Sequence, residues 1–488
     1  MRGEIRFLLD DQPRRLARLD PSMTVLDYLR EVEHLTGTKE GCNEGDCGAC
    51  TVVVARPRDG RLDYRAVNAC IQLVGTLDGC QLITVEHLAK AGRLHPVQQA
   101  MVDCHGSQCG FCTPGFVMSL FAMTRDHEDF PGEAVVDDTL AGNLCRCTGY
   151  APIVRAARQA YDHEPGDDAF AAGESATLAS LADLQDGAAV EVGDGVRRFL
   201  APVRLDDLAA LYEANPEATL TAGSTDVGLW VTKDMKRPET VIYTGRVAEL
   251  QRIEETGETI EIGAGVTYTD ALALLARHYP DMGEVVRRLG SVQIRNVGTL
   301  GGNIANGSPI GDSPPLLIAA GAILHLRRGQ ARRSLPLEDF FLAYGRQDRQ
   351  AGELVERISL PLPKPGHHFR AYKVSKRFDQ DITAVLGAFS LRIEDGKVTS
   401  ARLAYGGLAA VPKRAMAAEA ALAGRPWSEA TVAEAMAALA KDFQPITDWR
   451  ASREYRLKVA QNLLRRCYIE TTDPAAATRL LGVAAARR

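Results

Sequence analysis

Cysteine carries most of the chemistry open to this sequence. Of the 11 cysteines in 488 residues, eight fall into two groups with ligand-like spacing. The first, within Gly41-Cys42-Asn43-Glu44-Gly45-Asp46-Cys47-Gly48-Ala49-Cys50, is C-x4-C-x2-C, with Cys70 following after 19 more residues. The second is split between His105-Gly106-Ser107-Gln108-Cys109-Gly110-Phe111-Cys112-Thr113-Pro114-Gly115 and Gly142-Asn143-Leu144-Cys145-Arg146-Cys147-Thr148-Gly149-Tyr150. A group of four thiolates suits either a zinc ion or an iron–sulfur cluster. In a long chain, close thiol spacing points to metal rather than to disulfides. Cys80, Cys104 and Cys467 stand outside both groups and read as small buried hydrophobes.

The elements around these thiols narrow the choice. Zinc sites pair one short C-x2-C with another, whereas Cys70 stands alone and the x4 gap is unusual for a zinc knuckle. The first group instead matches the plant-type [2Fe–2S] spacing. Gly45 and Gly48 supply backbone angles that let a loop turn its amides toward inorganic sulfide. In the second group, Thr113 at the cap and Pro114 in the first turn, ahead of Phe116, Val117, Leu120 and Phe121, predict a helix start. Thr148 ahead of Ile153, Val154, Ala157 and Ala160 predicts another. Two thiol pairs at two helix N-termini gather four thiolates where the helix dipoles favour negative charge.

Ile5, Phe7 and Leu9 alternate with polar residues, Asp10 to Pro13 turn the chain, and Leu16 to Leu19 return it as a hairpin. Thr24 to Leu29 reads as a capped helix and Thr51 to Val54 as a strand, completing a first domain over 1–82. Helical spacing over Thr84–Ala91, His95–Cys104, Thr113–Met123 and Tyr150–Tyr161 predicts a four-helix domain over 83–161. Residues 162–194 hold nine acidic residues and no Lys or Arg, and predict a solvated acidic linker.

Two glycine-rich stretches mark residues 195–370: Leu220-Thr221-Ala222-Gly223-Ser224-Thr225-Asp226-Val227-Gly228, and Ile294 to Asp312 with Thr299-Leu300-Gly301-Gly302-Asn303 at its centre. Neither is G-x-G-x-x-G; Gly263-Ala264-Gly265 comes nearest but has Tyr268 where the third glycine belongs. No G-K-[ST] of a Walker A loop is present. Composition leaves two readings open, tight turns between strands or backbone amides cradling a pyrophosphate. Beyond Tyr372, a mixed-charge loop Lys376–Asp381 precedes the apolar run Ala384–Leu391, a strand Ser400–Tyr405, and alanine-rich helices from Met416 to Leu439 and Ser452 to Leu464. These predict a small α+β domain over 371–488.

Composition excludes some functions. A net charge of −6 offers no global basic field to nucleic acid or an anionic membrane. No run reaches the ~18 apolar residues of a membrane span. Met1-Arg2-Gly3-Glu4 lacks the apolar core of a signal peptide, so a cytoplasmic protein is expected.

The motifs HGSQCGFCTPG and GNLCRCTGY, placed after a plant-type ferredoxin motif, resemble the iron–sulfur part of the xanthine oxidase family of molybdenum hydroxylases. The resemblance covers nearly the whole chain except the linker. It implies an α+β multidomain fold: a β-grasp plant-type ferredoxin domain, a helical [2Fe–2S] domain, a vanillyl-alcohol-oxidase-like FAD-binding domain and a C-terminal flavoprotein domain. By motif, Cys42, Cys47, Cys50 and Cys70 would hold one [2Fe–2S] cluster, and Cys109, Cys112, Cys145 and Cys147 the other. Ala222, Gly223, Ser224, Thr225 and Asp226, with Thr299, Leu300, Gly301, Gly302 and Asn303, would cradle the FAD phosphates and ribose. Asp312, Lys373 and Leu289, which replaces a Phe common in relatives, would lie by the flavin, and Lys376–Asp381 where NAD⁺ gains access. Gln108 would hydrogen-bond the molybdopterin of a large partner subunit, in an α2β2 assembly. The resemblance implies no catalytic residue for substrate here, because hydroxylation belongs to the partner. In the resemblance the domain order favours a purine substrate, with an aldehyde or N-heterocycle as the alternative, and a metal-stabilised redox sensor or adaptor is the reading from outside enzymology.

Overall fold

The computed structural model describes residues 1–162 and 168–478. The predicted hairpin is present: Ile5–Leu9 pairs antiparallel with Gln12–Leu16, turning at Asp10 in the left-handed region. Ile5–Leu9 also runs parallel to Gln81–Ile83, which joins it to the antiparallel pair Thr51–Arg58 and Arg61–Asn68. The result is a five-stranded sheet with a short helix over it. That helix is capped by Thr24, whose side chain accepts from the Asp27 N–H. The opposite face of this sheet packs on the helical domain.

Four helices follow, Pro96–Asp103, Thr113–Asp126, Glu133–Leu140 and Ala151–Gln159. The number matches expectation but one member differs. Thr84–Ala91 forms only a single turn at Val85–His87, while the unpredicted Glu133–Leu140 buries Val136 and Leu140 one turn apart.

The acidic segment corrects the sequence reading. Residues 163–167 lie outside the described part, but Ala169–Leu184 is a helix rather than solvated chain. Phe170, Leu178, Leu181 and Leu184 share one face and pack on the helical domain's core. Self-repulsion is avoided because the carboxylates are used locally. Asp168 caps the helix by accepting from the Phe170 and Ala171 amides and pairs with Arg125, and Glu174 accepts from the Leu62 amide. Val190–Gly193 then opens the next sheet.

That sheet orders Val190–Gly193, Arg198–Ala201, Thr240–Tyr243 and Thr219–Thr221. Thr219–Thr221 runs parallel to Thr240–Tyr243 through the helix Val227–Thr232, so the first glycine-rich stretch sits at a carboxyl end of parallel strands, the usual place for a ligand crevice. A second, five-stranded sheet orders Ile253–Glu255, Thr259–Gly263, Leu354–Pro361, Ile323–Arg328 and Ala331–Pro336. The last domain is a four-stranded sheet, His367–Val374 to Lys413–Arg414, covered by Met416–Leu422, Glu429–Asp442 and Arg453–Thr472. The alanine-rich stretch is broken by Gly424 and Pro426.

The ferredoxin and flavoprotein regions share a core. Ile5, Phe7, Val52 and Val74 pack with Val192, Phe199, Val227 and Tyr243 across the boundary. Phe199 is fully buried, and a β-carbon at Gly75 would lie 2.5 Å from its ring. Burying one such side chain stabilises by about 1.5–3 kcal/mol, enough to fix one sheet against the other. No helix among the described residues is long and apolar enough to cross a membrane.

Candidate cofactor site

The first thiol group is assembled by the strand pair that flanks it. Thr51 faces Asn68 in register, so Cys50 and Cys70 emerge at the same sheet end, and the Ala69 N–H donates to the Cys50 carbonyl. The intervening loop folds back using positive φ at Asn43, Gly45 and Gly48. Asn68 Nδ2 donates to the Gly45 carbonyl at 2.9 Å and fixes the loop's middle. The amides of Cys42 and Cys47 each donate to the other's sulfur at 3.3 Å. Hydrogen bonds from Cys47 and then Cys70 hold the Cys42 thiol far below the ordinary range. The same contacts push Cys47 and Cys70 up, so the group shares one thiolate among its members, and the amides aimed at sulfur suit its ligation of a cluster.

The second group is built from two helix starts, as predicted, although Thr113 is the first helical residue rather than the cap. Cys112 stands immediately before Thr113–Asp126, and Cys145 and Cys147 precede Ala151–Gln159, each helix with proline in its first turn. Cys109 pairs with Cys147, and Cys112 with Cys145. Burial, then the Cys145 contact, pushes Cys112 up to about 12. Against its burial, Cys145 is lowered by the side chain and N–H of Thr148, whose hydroxyl lies 3.1 Å from its sulfur. Cys109 and Cys147 are exposed, as is Gln108 beside them.

The two groups touch. The Leu144 N–H donates to the Cys47 carbonyl at 3.0 Å, joining the residue before Cys145 to a thiol of the first group. Close approach depends on glycine: a β-carbon at Gly48 would lie 2.1 Å from the Gly142 carbonyl oxygen, and one at Gly115 2.2 Å from the Gly48 carbonyl oxygen. Gly115 and Gly142 were not singled out from the sequence, although both flank the cysteine motifs.

A cavity of about 1140 Å³ opens between the ferredoxin loop and the flavoprotein domain. Its wall includes Ala222, Gly223, Ser224, Thr225 and Asp226, then Leu289, then Thr299, Gly301, Gly302 and Asn303. The two glycine-rich stretches meet directly, since a β-carbon at Gly223 would lie 1.8 Å from the Val297 carbonyl oxygen. They differ in what they can offer. The amides of Leu300, Gly301, Gly302 and Asn303 already donate to Val266, Ala264 and Thr299. Those of Ser224, Thr225 and Asp226 donate to no acceptor among the described residues, and Ser224 adopts positive φ. The first stretch therefore supplies free donors and the second a close-packed backing. Asp226, half-buried, is pushed up by desolvation.

Leu300, Asp312 and Lys373 do not line the cavity. Leu300 is in the core. Asp312 and Lys373 form a buried ion pair at 2.6 Å behind the wall, and Thr383 also donates to Asp312. Ala264 and Gly265, set aside in the sequence as a failed fingerprint, do line it. Arg295 holds the Leu289–Gly290 turn by donating to both carbonyls, and although burial lowers it to about 10 it remains charged at neutral pH.

The cavity reaches the first thiol group, because Glu44, Gly45 and Asp46 form part of its wall. Lys233 Nζ donates to the Cys42 carbonyl at 2.7 Å and Gln380 Nε2 to the Asp46 carbonyl at 2.6 Å, gripping the loop on both sides of Gly45. Arg377, Gln380 and Asp381 of the mixed-charge loop also line the cavity, together with Ile382 just beyond it and exposed Trp449.

Fold and site define a multidomain iron–sulfur flavoprotein. Comparison with known proteins agrees. Residues 7–74 match the 2Fe-2S iron-sulfur cluster binding domain and 84–158 the [2Fe-2S] binding domain. Residues 194–363 match the FAD binding domain in molybdopterin dehydrogenase, and 370–471 the CO dehydrogenase flavoprotein C-terminal domain. Xanthine dehydrogenase 1 of Arabidopsis thaliana is 32% identical over 86% of this chain and 36% of its own length. Xanthine dehydrogenase of Drosophila subobscura is 34% identical over 80% of this chain and 33% of its own. The chain thus spans about a third of the length of these curated relatives. Among solved structures, carbon monoxide dehydrogenase from Hydrogenophaga pseudoflava aligns with a TM-score of 0.53 at 29% identity, over 55% of this chain and 94% of that one. Quinoline 2-oxidoreductase from Pseudomonas putida 86 aligns with a TM-score of 0.52 at 25% identity, over 56% and 96%. The chain belongs to the xanthine oxidase family of molybdenum hydroxylases and corresponds to its iron–sulfur and FAD region.

Proposed function

We propose that this chain is the iron–sulfur/FAD electron-transfer subunit of a xanthine dehydrogenase, serving a molybdopterin-bearing partner that oxidises hypoxanthine or xanthine to urate, with NAD⁺ as final acceptor. The observation that carries this reading is adjacency: the second thiol group abuts the first through Leu144 and Cys47, and the first forms part of the cavity wall at Gly45. Cys109, Cys112, Cys145 and Cys147 would hold the cluster nearer the partner, and Cys42, Cys47, Cys50 and Cys70 the one nearer the flavin. The donor sets fit, four thiols each with amides directed at sulfur. The cavity fits FAD, with free amides at Ser224, Thr225 and Asp226 for phosphate and Leu289 available to pack on a ring. Bound there, the clusters would carry electrons singly and the flavin would release them as a pair.

The chain's own residues bind and orient rather than act on substrate. Lys233 and Gln380 hold the first thiol loop against the cavity, and Arg295 holds the Leu289 turn. Gln108, exposed beside Cys109 and Cys147, is offered to the partner's molybdopterin, in an α2β2 assembly. Arg377, Gln380 and Asp381 edge the cavity where NAD⁺ would approach. Eleven cysteines with no disulfide among them accord with a reducing cytoplasm.

A second reading, the same role in a hydroxylase of an N-heterocycle or aldehyde, is favoured by the likeness to quinoline 2-oxidoreductase. The test is to purify the chain with whatever subunit accompanies it and supply xanthine and NAD⁺. Urate and NADH in equal amounts are expected. Oxidation of quinoline or an aldehyde but not xanthine would transfer the assignment, and a flavin-free protein without NADH oxidation would leave the sensor or adaptor reading.

A further inference from the structure

We infer that Gln293 is a positioning residue that fixes both thiol loops and the cofactor cavity in one electron-transfer geometry; this rests on the cofactor reading above. Gln293 belongs to the turn of helix Val292–Arg295, between Leu289 and Gly290 on one side and Ile294 on the other, all three on the cavity wall. Its side chain points away from the cavity into a buried polar node where three domains meet. Nε2 lies 3.0 Å from Ser119 Oγ and 3.1 Å from Asn143 Oδ1, both in the helical domain, and 3.4 Å from Thr51 Oγ1 in the ferredoxin domain. Asn143 Nδ2 in turn donates to the Gly48 carbonyl, between Cys47 and Cys50, at 3.1 Å. Asn143 is followed by Leu144, whose amide reaches Cys47, and then by Cys145. One side chain of the flavoprotein domain thus touches the supports of both thiol loops.

A plainer role would be to satisfy buried polar atoms, and the bonding speaks against it. Asn143 Oδ1 already accepts from Ser119 Oγ at 2.7 Å, and Thr51 Oγ1 from Asn143 Nδ2 at 3.3 Å. Gln293 brings a burden of its own, because its buried Oε1 has no partner. An apolar residue of the same length would leave fewer orphaned atoms. What it would not supply is direction: hydrogen bonds to acceptors on two other domains constrain angle as well as distance, whereas apolar contacts tolerate sliding. Space is equally restricted, since a β-carbon at Gly142 would lie 2.2 Å from Gln293 Oε1.

The test uses the full chain, wild type against Gln293→Met, which keeps length and volume while removing the donors. Ser119→Ala, which removes one acceptor, serves as a milder partner. Iron and FAD content should match wild type in both. Low-temperature EPR of the reduced protein should show weaker magnetic interaction between the two clusters in the Met variant. Electron arrival at the flavin after a one-electron pulse should slow roughly tenfold, less than the about hundredfold that a 1 Å misplacement of reacting groups can cost. Amide exchange over 41–51 and 140–149 should quicken in the Met variant and by less in the Ala variant. Wild-type coupling, rate and exchange in Gln293→Met would overturn the inference, and so would failure of that variant to fold, since the node's acceptors are satisfied without the glutamine. Exchange is also read in the cofactor-free chain. A wild type that binds no iron or flavin would therefore sink the functional reading, while loop exchange still decides the role of Gln293.

Discussion

The backbone N–H of Leu144 donates to the carbonyl oxygen of Cys47 at 3.0 Å, across a gap of nearly a hundred residues. Through this bond two thiol groups from separate domains become neighbours, and Gly45 carries the contact onward to the cavity. The order of centres, exposed thiols first and cavity last, follows from this geometry.

Replacing Cys145 by Ser should remove one cluster and leave the other with the flavin. Iron is expected to fall by half, one EPR signal to disappear, and FAD content to stay unchanged. Loss of flavin together with the iron would mean that the helical domain supports the cavity rather than a separate centre.

The grip on the first thiol loop should be separable from its ligands. Lys233→Met with Gln380→Leu removes the donors to the Cys42 and Asp46 carbonyls, each bond worth about 1 kcal/mol. Cluster content is expected to persist while flavin reduction through the clusters slows. Rates equal to wild type in stopped-flow flavin absorbance would contradict the assigned role.

Asp312→Ala should act through stability. It leaves the Lys373 ammonium buried without its carboxylate, a loss of about 3–5 kcal/mol for such pairs. Denaturant unfolding should report that loss, and adding Lys373→Met should recover most of it. Flavin should also be held less tightly, because the adjoining Ser313 donates to Asn303 of the cavity wall.

Much of this was legible in the sequence. Both cysteine groups, the helix starts beside the second, the hairpin and both glycine-rich stretches were readable because each is local, in spacing or in backbone demand. The helix Ala169–Leu184 was hidden by composition: acidic residues masked the apolar stripe of Phe170, Leu178, Leu181 and Leu184. Lys233 and Gln293 could not be found, because each acts on a domain distant in sequence and belongs to no motif; Gln380 lies in the mixed-charge loop, but its reach to Asp46 is a tertiary fact. The pairing of Asp312 with Lys373, which withdraws both from the cavity wall, is likewise a tertiary fact.

A pH prediction follows from Asp10, whose carboxyl is raised to about 7, chiefly by burial. Its unfolded value is near 3.8, so the folded state binds the proton more tightly. Its contribution is full below pH ~4 and is lost as pH rises through about 7. Asp10→Asn, which keeps an acceptor for the Thr84 amide and suits the positive φ, should stabilise by about 2 kcal/mol or more at pH 8 and hardly at all at pH 4. Thermal unfolding at the two pH values checks the sign.

Everything proposed for this chain depends on its holding two distinct [2Fe–2S] clusters and one FAD. Low-temperature EPR of the dithionite-reduced protein, with iron and flavin determined on the same sample, tests it most directly. Two resolvable [2Fe–2S] signals, four irons and one FAD per chain are expected. An EPR-silent protein that contains zinc and no flavin would contradict it.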